Sequence, residues 1–101
     1  MFEVTYLPSF QTDLDAIVDY ITYTLEAPHA AANLLDDLES AISRLKEFPH
    51  AHRLYRPLMP IPAQYRVLTV HNYLVFYTVD ANTVDIHRII YKKRNLSQLI
   101  R

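Results

Sequence analysis

From Ser9 to Glu26 the apolar residues Phe10, Leu14, Ile17, Val18, Ile21 and Leu25 recur three or four positions apart, with Asp13, Asp15 and Asp19 between them. That spacing gathers the apolar side chains on one face of a helix and predicts an amphipathic helix over this span. Ser9 or Thr12 can cap its start, and the early aspartates suit the positive end of the helix dipole. Pro28 stands where the first turn of a second helix has no use for a backbone N–H. Leu34, Leu38, Ala41, Ile42 and Leu45 form the buried stripe of that helix, and Pro49 stops it. With about two residues between them, the two helices are predicted to pack as an antiparallel hairpin.

The pattern around the helices has a shorter period. "FEVTYLP" reads as a short strand ended by Pro8. The stretch "PHAHRLYRPLMPIPAQ" carries four prolines and no periodicity, so it reads as a loop crossing from helices to sheet. Three strands are predicted after it: Tyr65 to Val70, Tyr73 to Val79 and Val84 to Tyr91. His71-Asn72 and Asp80 to Thr83 separate them, both short enough for hairpins. The middle strand, "YLVFYTV", is apolar on both faces and should lie centrally in the sheet. The expected architecture is β-α-α-β-β-β, an α+β domain with a helical hairpin on one face of a small antiparallel twisted sheet and a short C-terminal helix or tail, "NLSQLI".

Composition adds boundaries. At 101 residues, half of them hydrophobic, the chain suits one domain over residues 1–101 with a single core. There is no glycine, so any turn needing positive φ must use another residue, and Asn72 and Asn82 are the expected substitutes. The absence of cysteine excludes disulfides and thiolate metal sites, and a reducing cytoplasm is the expected setting. The start, "MFEVTYLPSF", has no basic leader pattern, and no apolar run is long enough to span a bilayer, so no membrane partner is expected. His50 and His52 lack an acidic or imidazole partner at ligand spacing, so no metal is expected, and the lack of glycine excludes the usual phosphate cradles and leaves no cofactor in prospect.

Charge is distributed unevenly. Residues 1–43 hold eight carboxylates and no Lys or Arg, whereas residues 44–101 hold all ten Lys and Arg against Glu47, Asp80 and Asp85. Either the second part presents an anion-binding surface, or acidic helices sit against a basic sheet. In the last strand, strict alternation would turn Val84, Ile86, Arg88 and Ile90 one way and Asp85, His87, Ile89 and Tyr91 the other. If the first set covers the helices, His87 and Tyr91 share the open face, beside the cations Lys92, Lys93 and Arg94. Exposed aromatics beside cations suit a nucleic-acid backbone and an unstacked base.

The pieces "YITYTLEAPHAAANLLDDLESAISRLKEFP", "YRVLTVHNYLVFYTVD" and "VDIHRIIYKKRNLSQLI", in this order and spacing, resemble the RelE/ParE superfamily of bacterial toxins from type II toxin–antitoxin systems. The resemblance spans nearly the whole chain. It implies a helical hairpin on a sheet and a partner antitoxin that wraps the toxin in a hetero-oligomer. Two activities follow by branch. RelE-like members cleave messenger RNA on the ribosome without metal, by attack of a ribose 2′-hydroxyl on the adjacent phosphate. ParE-like members poison DNA gyrase. The first reading, an mRNA interferase with ribosome and mRNA as partners, is preferred here because clustered cations suit a ribosomal target; gyrase inhibition is the alternative, and a non-catalytic binding domain the third.

Cleavage would require a base, an acid and cations on the developing phosphorane. By resemblance, Arg66 matches an arginine that contacts the scissile phosphate, and Tyr91 falls near a Tyr or His that acts as acid, base or stacking platform. His87 can transfer protons with an ordinary pKa near about 6.5. These three form the expected catalytic set. Arg53 and Arg56 in the long loop, with Arg88, Lys92, Lys93 and Arg94, form the expected nucleic-acid contacts. The match is incomplete: Ile100 stands where one branch carries a C-terminal tyrosine, and Arg56 near where another carries a glutamate base.

Overall fold

The computed structural model describes residues 1–56 and 64–93, so Arg94 and the expected terminal "NLSQLI" segment lie outside the described residues. The elements are β1 (Glu3–Tyr6), α1 (Pro8–Asp19), a π-helical turn (Tyr20–Thr24), α2 (Pro28–Arg44), β2 (Arg66–Val70), β3 (Tyr73–Val79) and β4 (Thr83–Tyr91). Their order is the predicted one. Pro8 opens α1 instead of closing β1, since its fixed φ and missing N–H cost nothing in a first turn. Neither Ser9 nor Thr12 caps that helix. Leu7 is the N-cap residue without a side-chain bond, and the Ser9 hydroxyl instead donates to the carbonyl of His87 at 2.6 Å.

The sheet order is β1-β4-β3-β2. The two hairpins are antiparallel as predicted, but β1 runs parallel to β4, so the sheet is mixed and not purely antiparallel. Chain direction explains this. α1 continues along the direction of β1, and the chain then reverses at α2, β2, β3 and β4, an even number of times. The last strand therefore enters alongside the first in the same sense.

The main core lies between the helices and one face of the sheet. The predicted stripe of α2, Leu34, Leu38, Ala41 and Ile42 continued by Leu45, is buried there with Phe10 of α1 and with Leu68, Val75, Val84, Ile86 and Ile89 of the sheet. On the other face a smaller cluster of Val67, Leu74, Phe76 and Ile90 is covered by Tyr55 and Tyr65. β3 is central and apolar on both faces because it contributes to both clusters. No helix among the described residues is long and apolar enough to cross a membrane.

A bulge interrupts the pairing of β3 with β4. Phe76 faces Arg88 and Tyr77 faces Ile86, leaving His87 as the extra residue. The predicted alternation of β4 therefore holds only before the bulge. Val84 and Ile86 face the helices, but so does Ile89, while Ile90 turns to the opposite cluster. Tyr91 follows in register opposite Tyr73, which packs on the helix side, so His87 and Tyr91 lie on opposite faces instead of sharing one.

The bulge falls where β4 changes neighbours. β1 pairs with β4 only as far as Tyr6 opposite Ile86, and the Leu7 N–H closes onto the Ile86 carbonyl. Beyond that point the edge of β4 would be bare. α1 covers it with side chains: Ser9 donates to the His87 carbonyl, and the Asp13 carboxylate accepts the Ile89 N–H at 3.2 Å. The same carboxylate takes a two-point bond from the Arg88 guanidinium at 2.6 and 2.9 Å. A helix placed over an edge strand removes its pairing liability.

Without glycine, positive φ among the described residues falls on Glu26 and His71, both at 53°, and not on Asn72 or Asn82. Glu26 turns the helical hairpin. His71 occupies the first position of the β2–β3 turn, and its imidazole reaches Asp37 of α2 at 2.6 Å.

Two predictions follow from this packing. Asp13→Ala leaves a half-buried guanidinium and a strand N–H without an acceptor, and is expected to lower stability by about 2 kcal/mol in chemical denaturation, with Asp13→Asn costing less because it keeps an acceptor for Ile89. An unchanged midpoint for Asp13→Ala would show that the edge of β4 does not depend on α1. Glu26→Gly removes the left-handed strain at a site with no side-chain bond, and is expected to raise stability by about 0.5 to 1 kcal/mol after the added entropy of glycine in the unfolded chain. A lowered midpoint would mean that Glu26 makes a stabilising contact outweighing that strain.

Candidate functional site

The three expected catalytic residues stand in three separate environments. Arg66 opens β2 in register with Tyr77, while Tyr91 is in register with Tyr73 and, through it, Val70. Four residues of strand place the two candidates about 13 Å apart along the sheet. His87 projects from the opposite face.

Arg66 is engaged with the loop that follows α2. Its Nη1 donates to the carbonyls of His52 at 2.7 Å and His50 at 3.4 Å. Tyr77, fully buried beside it, donates its hydroxyl to the Pro49 carbonyl at 2.8 Å. Burial is the main cause that pushes the Tyr77 phenol up to about 12, against the pull of the Arg66 charge and of the His52 backbone. It is therefore a neutral donor, fixed in that role. The His52 ring stands edge-on to Tyr77 at 6.3 Å, and burial, helped by Arg44, holds its imidazole below the ordinary value. The backbone of Arg53 and Tyr55 then bonds to Val67 and Tyr65, so this part of the loop runs beside β2 as a short bridge.

His87 sits half-buried in the bulge. Its Nε2 lies 2.9 Å from the Thr78 hydroxyl, and the Tyr65 ring meets it edge-on at 5.0 Å. Burial lowers its pKa, with Asp85 pulling the other way. The site thus contains a largely neutral imidazole paired with a hydroxyl, but neither Arg66 nor Tyr91 approaches it.

The cations divide in the same way. Arg88 is bound to Asp13, and Arg66 to loop carbonyls. Arg53 and Arg56 are exposed at the end of the sheet where β2 begins, while Lys92 and Lys93 are exposed at the other end, after β4. Among the described residues no cluster of His, Asp and Glu has the geometry to hold a metal ion.

Of two further surfaces, the first was not singled out from the sequence and the second was singled out only at Tyr91 and the cations that follow it. One is a groove of about 360 Å³ on the helical hairpin, lined by Tyr6, Phe10, Leu14, Leu35, Leu38 and Ile42 with Gln11 and Glu39 at its polar border. Tyr6 and Leu35 remain exposed there, and burial together with the Glu39 carboxylate raises the Tyr6 phenol above its ordinary value. The sequence signal was an apolar residue, Leu35, directly beside the buried position Leu34. The other surface is the end of the sheet at which Tyr73 and Tyr91 meet edge-on at 5.8 Å. Tyr20, in the π-helical turn, is exposed and close enough to influence the Tyr73 phenol, which burial first, then Tyr91 and Tyr20, raises. Tyr20 lies off the apolar stripe of the first helix, which is the signal that it faces solvent.

Comparison with known proteins gives this geometry a family. A search of curated proteins finds no match. Among solved structures the fold is similar to a chain described as "Chromosomal ParDE TA system from P. aeruginosa", with a TM-score of 0.71 and 22% identity, covering 90% of this chain and 96% of that one. The family model described as "ParE toxin of type II toxin-antitoxin system, parDE" matches residues 4–96, from β1 to beyond the last described strand. With nearly its whole length matched, this chain belongs to the ParE toxin family of type II toxin–antitoxin systems.

Proposed function

We propose that this protein is a cytoplasmic toxin that arrests growth by inhibiting DNA gyrase and is silenced in complex with a cognate antitoxin. The observation that carries the reading is the family match over residues 4–96, which favours the gyrase-directed branch over the ribosome-dependent mRNA cleavage ranked first from the sequence. The geometry agrees with that order. Gyrase inhibition needs a protein-binding surface and no proton relay, whereas mRNA cleavage needs a base, an acid and a phosphate ligand at one point. Arg66, His87 and Tyr91 occupy separate places, and Arg66 already serves loop carbonyls.

The groove on the helical hairpin is the surface best suited to the antitoxin. Its floor is apolar and its surroundings are acidic, since α1 and α2 contribute Asp15, Asp19, Asp36, Asp37 and Glu39 with no Lys or Arg before Arg44. An amphipathic helix with an apolar stripe and basic flanks would complement both features.

Purified toxin is expected to block supercoiling by gyrase in a plasmid assay, while 5′-end mapping of translated messages shows no new cuts. Intact supercoiling with codon-phased cuts would return the protein to the nuclease branch. Leu35→Glu places a carboxylate on an exposed apolar wall of the groove and is expected to weaken antitoxin binding by about tenfold or more in calorimetry with little change in thermal stability. Wild-type affinity would move the antitoxin off the groove.

A further inference from the structure

The turn that follows α2 presents an aromatic ring that the fold does not use. Phe48 is 62% exposed, although the backbone around it is tightly held. The N–H groups of Glu47 and Phe48 both donate to the Arg44 carbonyl, at 3.2 and 3.0 Å, and the Phe48 carbonyl accepts the Ala51 N–H at 3.3 Å. From below, the buried Tyr77 donates its hydroxyl to the Pro49 carbonyl, and Arg66 donates to those of His50 and His52. Two sheet side chains therefore pin the turn and leave its ring in water. Arg44 and Lys46 are exposed in the same turn, against Glu47, and neither cation meets a carboxylate among the described residues. The result is a pre-set apolar knob with cationic flanks, and fixing a contact group before binding lowers the entropy cost of using it.

The groove on the helical hairpin has the opposite character. Its floor is apolar, Tyr6 and Leu35 are 44% and 39% exposed there, and Glu39 lies at its border, with Asp15 and Asp36 exposed on the same two helices. None of these three carboxylates is ion-paired among the described residues. Knob and groove thus match in apolar surface and in charge. They do not meet within one molecule, because Phe48 follows Ile42 of the groove by only six residues and Tyr77 and Arg66 hold its turn against the sheet.

We propose that the free toxin self-associates, with the Phe48 knob of one copy entering the groove of a second copy and Arg44 and Lys46 facing that copy's carboxylates. Such a contact has the usual anatomy of a protein interface, an aromatic anchor in an apolar pocket with charges at the rim. It joins unlike patches, so it closes reciprocally in a two-fold pair or continues head to tail. Either way the exposed apolar floor of the groove leaves water. A second copy and the antitoxin then compete for one groove. That competition rests on the antitoxin reading given above, whereas the self-association does not.

The test is sedimentation equilibrium of the full-length toxin, freed of antitoxin, over a range of concentrations at low and high salt. The average mass is expected to rise with concentration and to fall back as salt screens the charged rim. Phe48→Ala and Leu35→Glu should each weaken self-association by about thirtyfold, the loss of one central contact. Both side chains are exposed, so unchanged melting curves separate a lost contact from a lost fold. Mixed together, the two variants should associate again, because Phe48→Ala keeps an intact groove and Leu35→Glu an intact knob. A toxin that stays monomeric at every concentration in low salt would overturn the proposal. So would either variant associating like the wild type, or a mixture no heavier than its parts, since knob and groove would then not be partners. Failure of the antitoxin reading is a separate result, seen as wild-type antitoxin affinity in a Leu35→Glu toxin that no longer self-associates.

Discussion

The Asp13 carboxylate holds the rest of the structure in register. It accepts the Ile89 N–H of β4 and both prongs of the Arg88 guanidinium, while Ser9 one turn earlier takes the His87 carbonyl. β1 is too short to cover β4, and an uncovered strand edge is a site for unwanted pairing. A helix cannot extend a ladder with its own backbone, so α1 does so with side chains. This fixes the direction and height of α1 along β4, and therefore where the hairpin turns at Glu26 and where α2 returns over the sheet. The bulge at His87 lies at the handover from strand neighbour to helix neighbour, where the added local twist turns the edge toward α1.

Parts of this were legible in the chain because they depend on local periodicity. The α2 stripe of Leu34, Leu38, Ala41 and Ile42, the first-turn role of Pro28 and the two-sided apolar character of β3 follow from spacing alone. The parallel entry of β1 was not legible, because a four-residue strand carries no information about its partner. The bulge was hidden for a related reason. "VDIHRIIY" fits an unbroken alternation as well as a broken one, and the break shows only in the packing, where Ile86 and Ile89, three residues apart, both reach the helix-side core. One inserted residue was enough to separate His87 from Tyr91. The left-handed turns went to Glu26 and His71 because hairpin geometry, not residue preference, chose the position.

The uneven charge distribution has a partly internal explanation. Arg88 meets Asp13, His71 meets Asp37 and Arg66 is spent on the carbonyls of the loop after α2, so acidic helices and a basic sheet attract one another within the fold. The sequence shows where the cations fall along the chain but does not distinguish those that are held by partners within the fold. Of the cations expected to contact nucleic acid, the exposed ones among the described residues are divided between two ends of the sheet, Arg53 and Arg56 at one and Lys92 and Lys93 at the other.

The groove and the tyrosine end of the sheet are likewise separate surfaces. The groove reaches α1 at Phe10, Gln11 and Leu14, whereas Tyr20 stands at the far end of the same helical segment, about 15 Å from Phe10 at the rise of an α-helix. The apolar floor of the groove demands a partner that removes it from water, a requirement independent of any target. The tyrosine end makes a different demand, for groups that satisfy free hydroxyls and uncompensated charge. Because one rigid helix separates the two, a partner seated in the groove restrains the tyrosine end only if it extends along α1 to reach it. A chain that covers both surfaces therefore needs length as well as affinity, which a compact partner confined to the groove does not have.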